Sequence, residues 1–144
     1  MKTDIQHIYL ESKQWLNELE FLDFERNFFQ KILNTCDRQP SPLNKDKTAI
    51  LRKKLFDLEV YMHDLRNQTL SNMTSSELIS EGLVSTDKEE FQFKYQWLDQ
   101  QLKELFSAFR TFKTELLSNT CQAVKISKSQ FFENYLYESS RLQH

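Results

Sequence analysis

One glycine and two prolines in 144 residues leave this chain few places to turn tightly. Hairpins need residues that accept positive φ, and loops draw on glycine and proline for their bends. Their near absence predicts an all-α protein. The same count excludes a glycine-rich phosphate cradle.

Apolar spacing then places the helices. Ile5, Ile8, Ser12, Trp15, Leu19, Leu22, Arg26, Phe29, Leu33 and Cys36 follow alternating steps of three and four, a heptad seam interrupted by the polar Ser12 and Arg26. Thr3 with Gln6 is a capping pair that opens this helix. The stretch RQPSP stops it, because a residue before proline is pushed out of the helical region. Ser41 as N-cap and Pro42 at the first helical position start the second helix. Leu51, Leu55, Leu58, Met62, Leu65 and Thr69 form its seam, and SNMTSSE is expected to end it. Thr86 and Glu89 cap the third, whose seam runs through Phe91, Tyr95, Leu98, Leu102, Leu105, Phe109, Phe112 and Leu116.

The expected long helices cover about 4–37, 42–74 and 87–120 of a single domain spanning residues 1–144. Nearly equal amphipathic helices joined by short connections predict an antiparallel up-down-up bundle. Ser127 with Gln130 opens a fourth, shorter amphipathic segment over about 128–142, with Phe131, Phe132, Tyr135, Leu136 and Leu142. Phe21, Phe28 and Ile32 lie beside the first seam and are the expected seat of that fourth helix. A homodimer interface is the competing account of the same phenylalanines.

Charge and cysteine usage limit the function. A formal net charge of −2 gives no general attraction to nucleic acid or to an anionic membrane. No apolar run exceeds three residues, so neither a spanning helix nor a signal-peptide core is expected, and a cytoplasmic setting is the default. Cys36 and Cys121 have no metal-type spacing and read as reduced thiols, at helix ends that an up-down-up bundle would bring together. Whether they pair or are redox-active is open.

No nucleophile-base ordering or paired acidic motif stands out, so the chain reads as a non-enzyme without a cofactor. Bundle metal sites need several carboxylates and usually two Glu-x-x-His pairs. Here Glu59 and His63, four apart, are a single pair, and no metal ligand is assigned. The preferred function is a non-catalytic interaction or scaffold module that binds itself or another protein. The alternative is a small-ligand or metal-binding bundle with a pocket near Trp15, His63 and Trp97.

Charge is unevenly spread. Residues 30–54 hold Lys31, Arg38, Lys45, Lys47, Arg52, Lys53 and Lys54 against Asp37 and Asp46, while residues 57–99 are acidic. The basic end fits an acidic partner or is simply a solvated helix end. On the third helix Phe93 and Trp97 fall outside the seam beside Glu89, Glu90 and Asp99. Leu78, Ile79, Leu83 and Val84 of the connection offer them a cover; uncovered, they form an aromatic hot spot. Phe24, furthest from the first seam, joins Phe93 and Trp97 as a candidate partner-binding residue.

WLNELEFLDFE at 15–25 and MHDLR at 62–66, with the phenylalanine-rich third helix, resemble a group of small uncharacterised bacterial three-helix bundle proteins. The matching positions are Trp15, Asn17, Glu18, Leu19, Phe21, His63 and Asp64. The resemblance implies a bundle in a bacterial cytosol and no particular activity.

Overall fold

The computed structural model describes residues 5–37, 45–83 and 88–120, and these are all-α. The helices are α1 (Ile5–Asp37), α2 (Lys45–Ser80) and α3 (Lys88–Thr120). The expected fourth helix at about 128–142, the caps Thr3, Ser41 and Thr86, and Cys121 lie outside the described residues.

The end of α2 departs from expectation. The helix runs to Ser80 instead of stopping near 74, and it takes in Leu78 and Ile79, which the sequence reading assigned to the connection. Polar residues in the seam hid this: Thr69, Asn72 and Ser76 continue the three-four spacing, and all three are fully buried. What stops the helix is Gly82, at φ +72°. Its N–H donates to the Ile79 carbonyl at 3.0 Å, and the Leu83 N–H donates to the Leu78 carbonyl at 3.0 Å. These are the two bonds of a Schellman cap, in which the left-handed position favours glycine. The chain's single glycine sits where the backbone requires one.

Each helix contributes to two compact units. In the first (residues 1–22 and 58–109), Ile8, Trp15, Leu19 and Leu22 of α1, Met62 and Leu65 of α2, and Phe91, Leu98, Leu102, Leu105 and Phe109 of α3 are buried. In the second (residues 23–57 and 110–144), the buried apolar set is Phe29, Ile32, Leu33 and Cys36 of α1, Leu51 and Leu55 of α2, and Phe112 and Leu116 of α3. Burying a leucine or phenylalanine side chain contributes about 1.5–3 kcal/mol, so these sets hold the helices together. Phe29 and Phe112 meet at 5.5 Å between ring centroids, tilted by 54°, a favourable aromatic geometry.

A second correction concerns α1. Arg26 is not the buried seam residue; the neighbouring Glu25 is, at 8% exposure. Arg26 turns along its own helix, with Nε donating to Asp23 at 3.0 Å and a terminal nitrogen to Asn27 at 2.9 Å. Glu25 Oε2 lies 3.7 Å from Lys113 Nζ of α3. A carboxylate in a packed layer is tolerated there because a cation stands across from it.

Candidate functional site

Within the first unit, one layer of the core is polar. Ser12 of α1 and Thr69, Asn72 and Ser76 of α2 are all at 0% exposure. Two of them satisfy their hydroxyls locally, as helical serine and threonine commonly do. Thr69 Oγ1 donates to the Leu65 carbonyl at 2.7 Å, and Ser76 Oγ to the Asn72 carbonyl at 2.8 Å. Asn72 reaches across to α1, where its Nδ2 donates to Ser12 Oγ at 3.4 Å. Its Oδ1 is the one buried side-chain polar atom without a partner among the described residues. Turning the amide over would orphan the NH₂ group instead, because Ser12 can serve only one end.

A tyrosine borders this layer. Tyr95 of α3 stacks on Trp15 of α1 at 5.4 Å between centroids and 22° between planes, and its hydroxyl donates to Glu11. His7 Nε2 stands 3.1 Å from the same carboxylate. Burial first, then the Glu11 hydrogen bond and the charges of Glu11 and Asp99, push the Tyr95 phenol well above its usual range. The phenol is therefore a donor throughout the physiological range.

The inward position of Tyr95 decides where two further side chains point. Successive helical residues turn by about 100°, so residues two away on either side lie roughly opposite. Phe93 and Trp97 are those residues, and they are 71% and 39% exposed. Four residues apart on one helix, they form a single aromatic face. Leu78 and Ile79 are half-buried on α2, and Leu83 is itself 67% exposed. Phe93 thus remains open with those residues in place; Val84 lies outside the described residues. Glu89 and Glu90 occupy the first turn of α3 beside the face, where a helix N-terminus also favours negative charge.

The remaining sequence candidates fall elsewhere. Phe24 is half-buried in the second unit, on the side of α1 away from the Leu22 and Phe29 seam; Phe28 in the same unit and Phe21 in the first are half-buried too. Trp15 is buried while His63 and Trp97 face outward, so the three do not line one interior. His63 Nε2 and Glu59 Oε1 are 3.9 Å apart on the exposed face of α2. Among the described residues no three His, Cys, Asp or Glu side chains are grouped to hold a metal ion. Of the resembling motif, Trp15 and Leu19 are core residues, whereas Asn17, Glu18 and Asp64 are exposed. No described helix is long and apolar enough to cross a membrane.

At the other unit three bases of α2 are engaged. Arg52 donates to the Leu33 carbonyl and to Asn34 Oδ1, both at 3.2 Å, supplying from α2 the cation that the last turn of α1 lacks. Lys54 Nζ contacts both carboxylate oxygens of Glu115 at 2.9 and 3.0 Å, and Lys47 Nζ donates to Asn119 at 3.5 Å. Sequence reasoning found the basic cluster but not these partners, which lie 61 and 72 positions away. It also passed over the polar layer, although Ser12 and Thr69 had been placed in their seams.

Set against protein-family models, curated proteins and solved structures, the chain matches none of them.

Proposed function

We propose that the protein is a non-catalytic helical interaction module, binding another protein chain through Phe93 and Trp97 of α3, with Phe24 of α1 as a further contact residue. The observation that carries this reading is the aromatic face on α3, open at 71% exposure on Phe93 while the seam behind it is packed. Exposed aromatic anchors with a charged rim are what interface hot spots are built from. Lone exposed apolar residues are ordinary, but an adjacent phenylalanine and tryptophan make a patch.

We further infer the up-down-up course of the three helices. Supporting it within the second unit, α3 meets earlier residues of α2 as it advances, Glu115 with Lys54 and then Asn119 with Lys47. The module acts in the cytoplasm, without cofactor or catalysis, and its basic residues offer an acidic partner a secondary contact.

The test is a photo-crosslinking amino acid at position 93, introduced in the native cells. A discrete crosslinked protein product, lost when the label is moved to the buried position 98, is the expected result. Absence of any protein adduct from position 93 sinks the reading.

A further inference from the structure

The two units carry opposite charge. Among the described residues, the first unit holds eleven acidic side chains against five basic ones, and the second holds nine basic against six acidic. Both also expose large apolar side chains. On the first, Phe93 and Trp97 stand beside Glu89 and Glu90. On the second, Ile50 and Phe56 of α2 are 53% and 61% exposed and flank Lys53, three residues from each and itself exposed. Steps of three put Ile50, Lys53 and Phe56 on one helix surface, with Lys47 one further step back.

From this complementarity we propose that the partner is a second copy of the chain: the acid-rimmed aromatic face of α3 on one copy docks on the Ile50, Lys53 and Phe56 face of α2 on the other. The proposal rests on the interaction-module reading and names its occupant. Each copy carries both faces, so every copy can offer one and accept the other. Two like faces would bring Glu89 and Glu90 against their own counterparts, or Lys47 and Lys53 against theirs. Unlike faces bring carboxylates to ammonium groups and bury four apolar side chains from water together. Asp46, four residues before Ile50, and Asp57, beside Phe56, are the exposed acids of this face, so the excess of base belongs to the unit around it.

Opposed exposed charges act over about a Debye length, roughly 10 Å at 0.1 M salt and 3 Å at 1 M, so docking weakens as salt rises. Sedimentation velocity on the full chain over a wide concentration range is the assay. The expected result is concentration-dependent association that weakens severalfold at high salt. Phe93→Ser with Trp97→Ser abolishes it while helicity and melting stay unchanged. Lys53→Glu and Glu90→Lys each weaken it about tenfold, and mixing the two variants restores it, because positions 53 and 90 of unlike copies again carry opposite charges. The charge variants keep the proposal testable if the double serine variant unfolds.

A wild-type chain that stays monomeric throughout overturns self-docking, and so does association that the charge variants leave untouched. Either result leaves the wider interaction reading to the crosslink from position 93, so the two failures are distinguishable.

Discussion

Replacing Asn72 by leucine should make the protein more stable. The asparagine is at 0% exposure, its Oδ1 has no partner, and its single cross-helix bond to Ser12 is long at 3.4 Å. An unsatisfied buried acceptor costs about 1–3 kcal/mol, and a hydrogen bond near the distance limit returns at most about 0.5 kcal/mol net. Leucine branches at the same carbon as asparagine and removes the orphan group. Against the gain stand the Ser12 hydroxyl, which loses its neighbour, and about 1 kcal/mol for fitting a bulkier side chain. Burying the leucine side chain adds at least about 1.5 kcal/mol, so with about 2 kcal/mol for the orphan acceptor and about 1 kcal/mol lost at the stranded hydroxyl the net expectation is about 1 kcal/mol of stabilisation, a rise of roughly 3 °C in Tm for a chain of this size. Urea unfolding followed by helical circular dichroism measures it, with the midpoint moving up at unchanged slope. Ser12→Ala combined with Asn72→Leu should gain more than Asn72→Leu alone. A midpoint that stays put or falls would refute the reasoning, because the amide would then have a partner worth as much as the leucine. Buried polar residues in heptad cores also specify register at a stability cost, so the stabilised variant should show broader amide resonances around this layer.

Gly82→Ala should cost about 1–2 kcal/mol, the penalty for a left-handed alanine; nothing lies within 4 Å of the added methyl, so a smaller loss in a urea melt would place the backbone elsewhere. Glu25→Ala should cost about 2–3 kcal/mol, since it strips a partly buried Lys113 of its carboxylate; adding Lys113→Met should recover most of it, and no recovery would show that the pair is not coupled. The raised Tyr95 pKa means that the folded state holds a proton the unfolded chain gives up near the usual value of about 10. That contribution is complete below pH 10 and is lost as pH rises through the folded value, so the urea midpoint should drop above about pH 10, and less steeply in Tyr95→Phe.

The helices were legible because their apolar periodicity is strong: the seams of α3 from Phe91 to Leu116 and of α1 from Ile8 to Leu22 are read directly from residue type. The C-terminal part of α2 was not, and the reason is chemical. SNMTSSE has the composition of a loop, yet Asn72 and Ser76 hold seam positions inside the core, where their hydrogen bonds and not their polarity decide their place. The choice between Glu25 and Arg26 escaped for a similar reason, since it depends on Lys113, 88 positions downstream. Phe93 and Trp97 were identified as lying off the seam, but their exposure depended on whether Leu78, Ile79 and Leu83 covered them. That needed the helical course of α2 to Ser80 and the cap at Gly82.

The polar layer and the aromatic face belong to the same unit, and this has a dynamic consequence. Local opening is governed by the apolar contacts it breaks, and residues 69–76 of α2 present threonine, asparagine and serine where residues 51–55 present two leucines. Amides of 69–76 should therefore exchange faster than those of 51–58, although both stretches lie inside α2 and donate to helical carbonyls. Native-state hydrogen exchange by NMR measures this amide by amide, and fraying is separated out by its decay along the last turn before Ser80. Asn72→Leu should slow exchange around position 72 more than at Leu51 or Leu55, because it repairs only that layer. If wild-type protection were equal in the two stretches, the orphan Oδ1 would not be a weak point. If the leucine variant slowed every amide alike, opening there would require global unfolding. The expected pattern makes the unit bearing Phe93 and Trp97 the more readily opened one, so a docked copy would protect the amides around Asn72 as well as those of the α3 face.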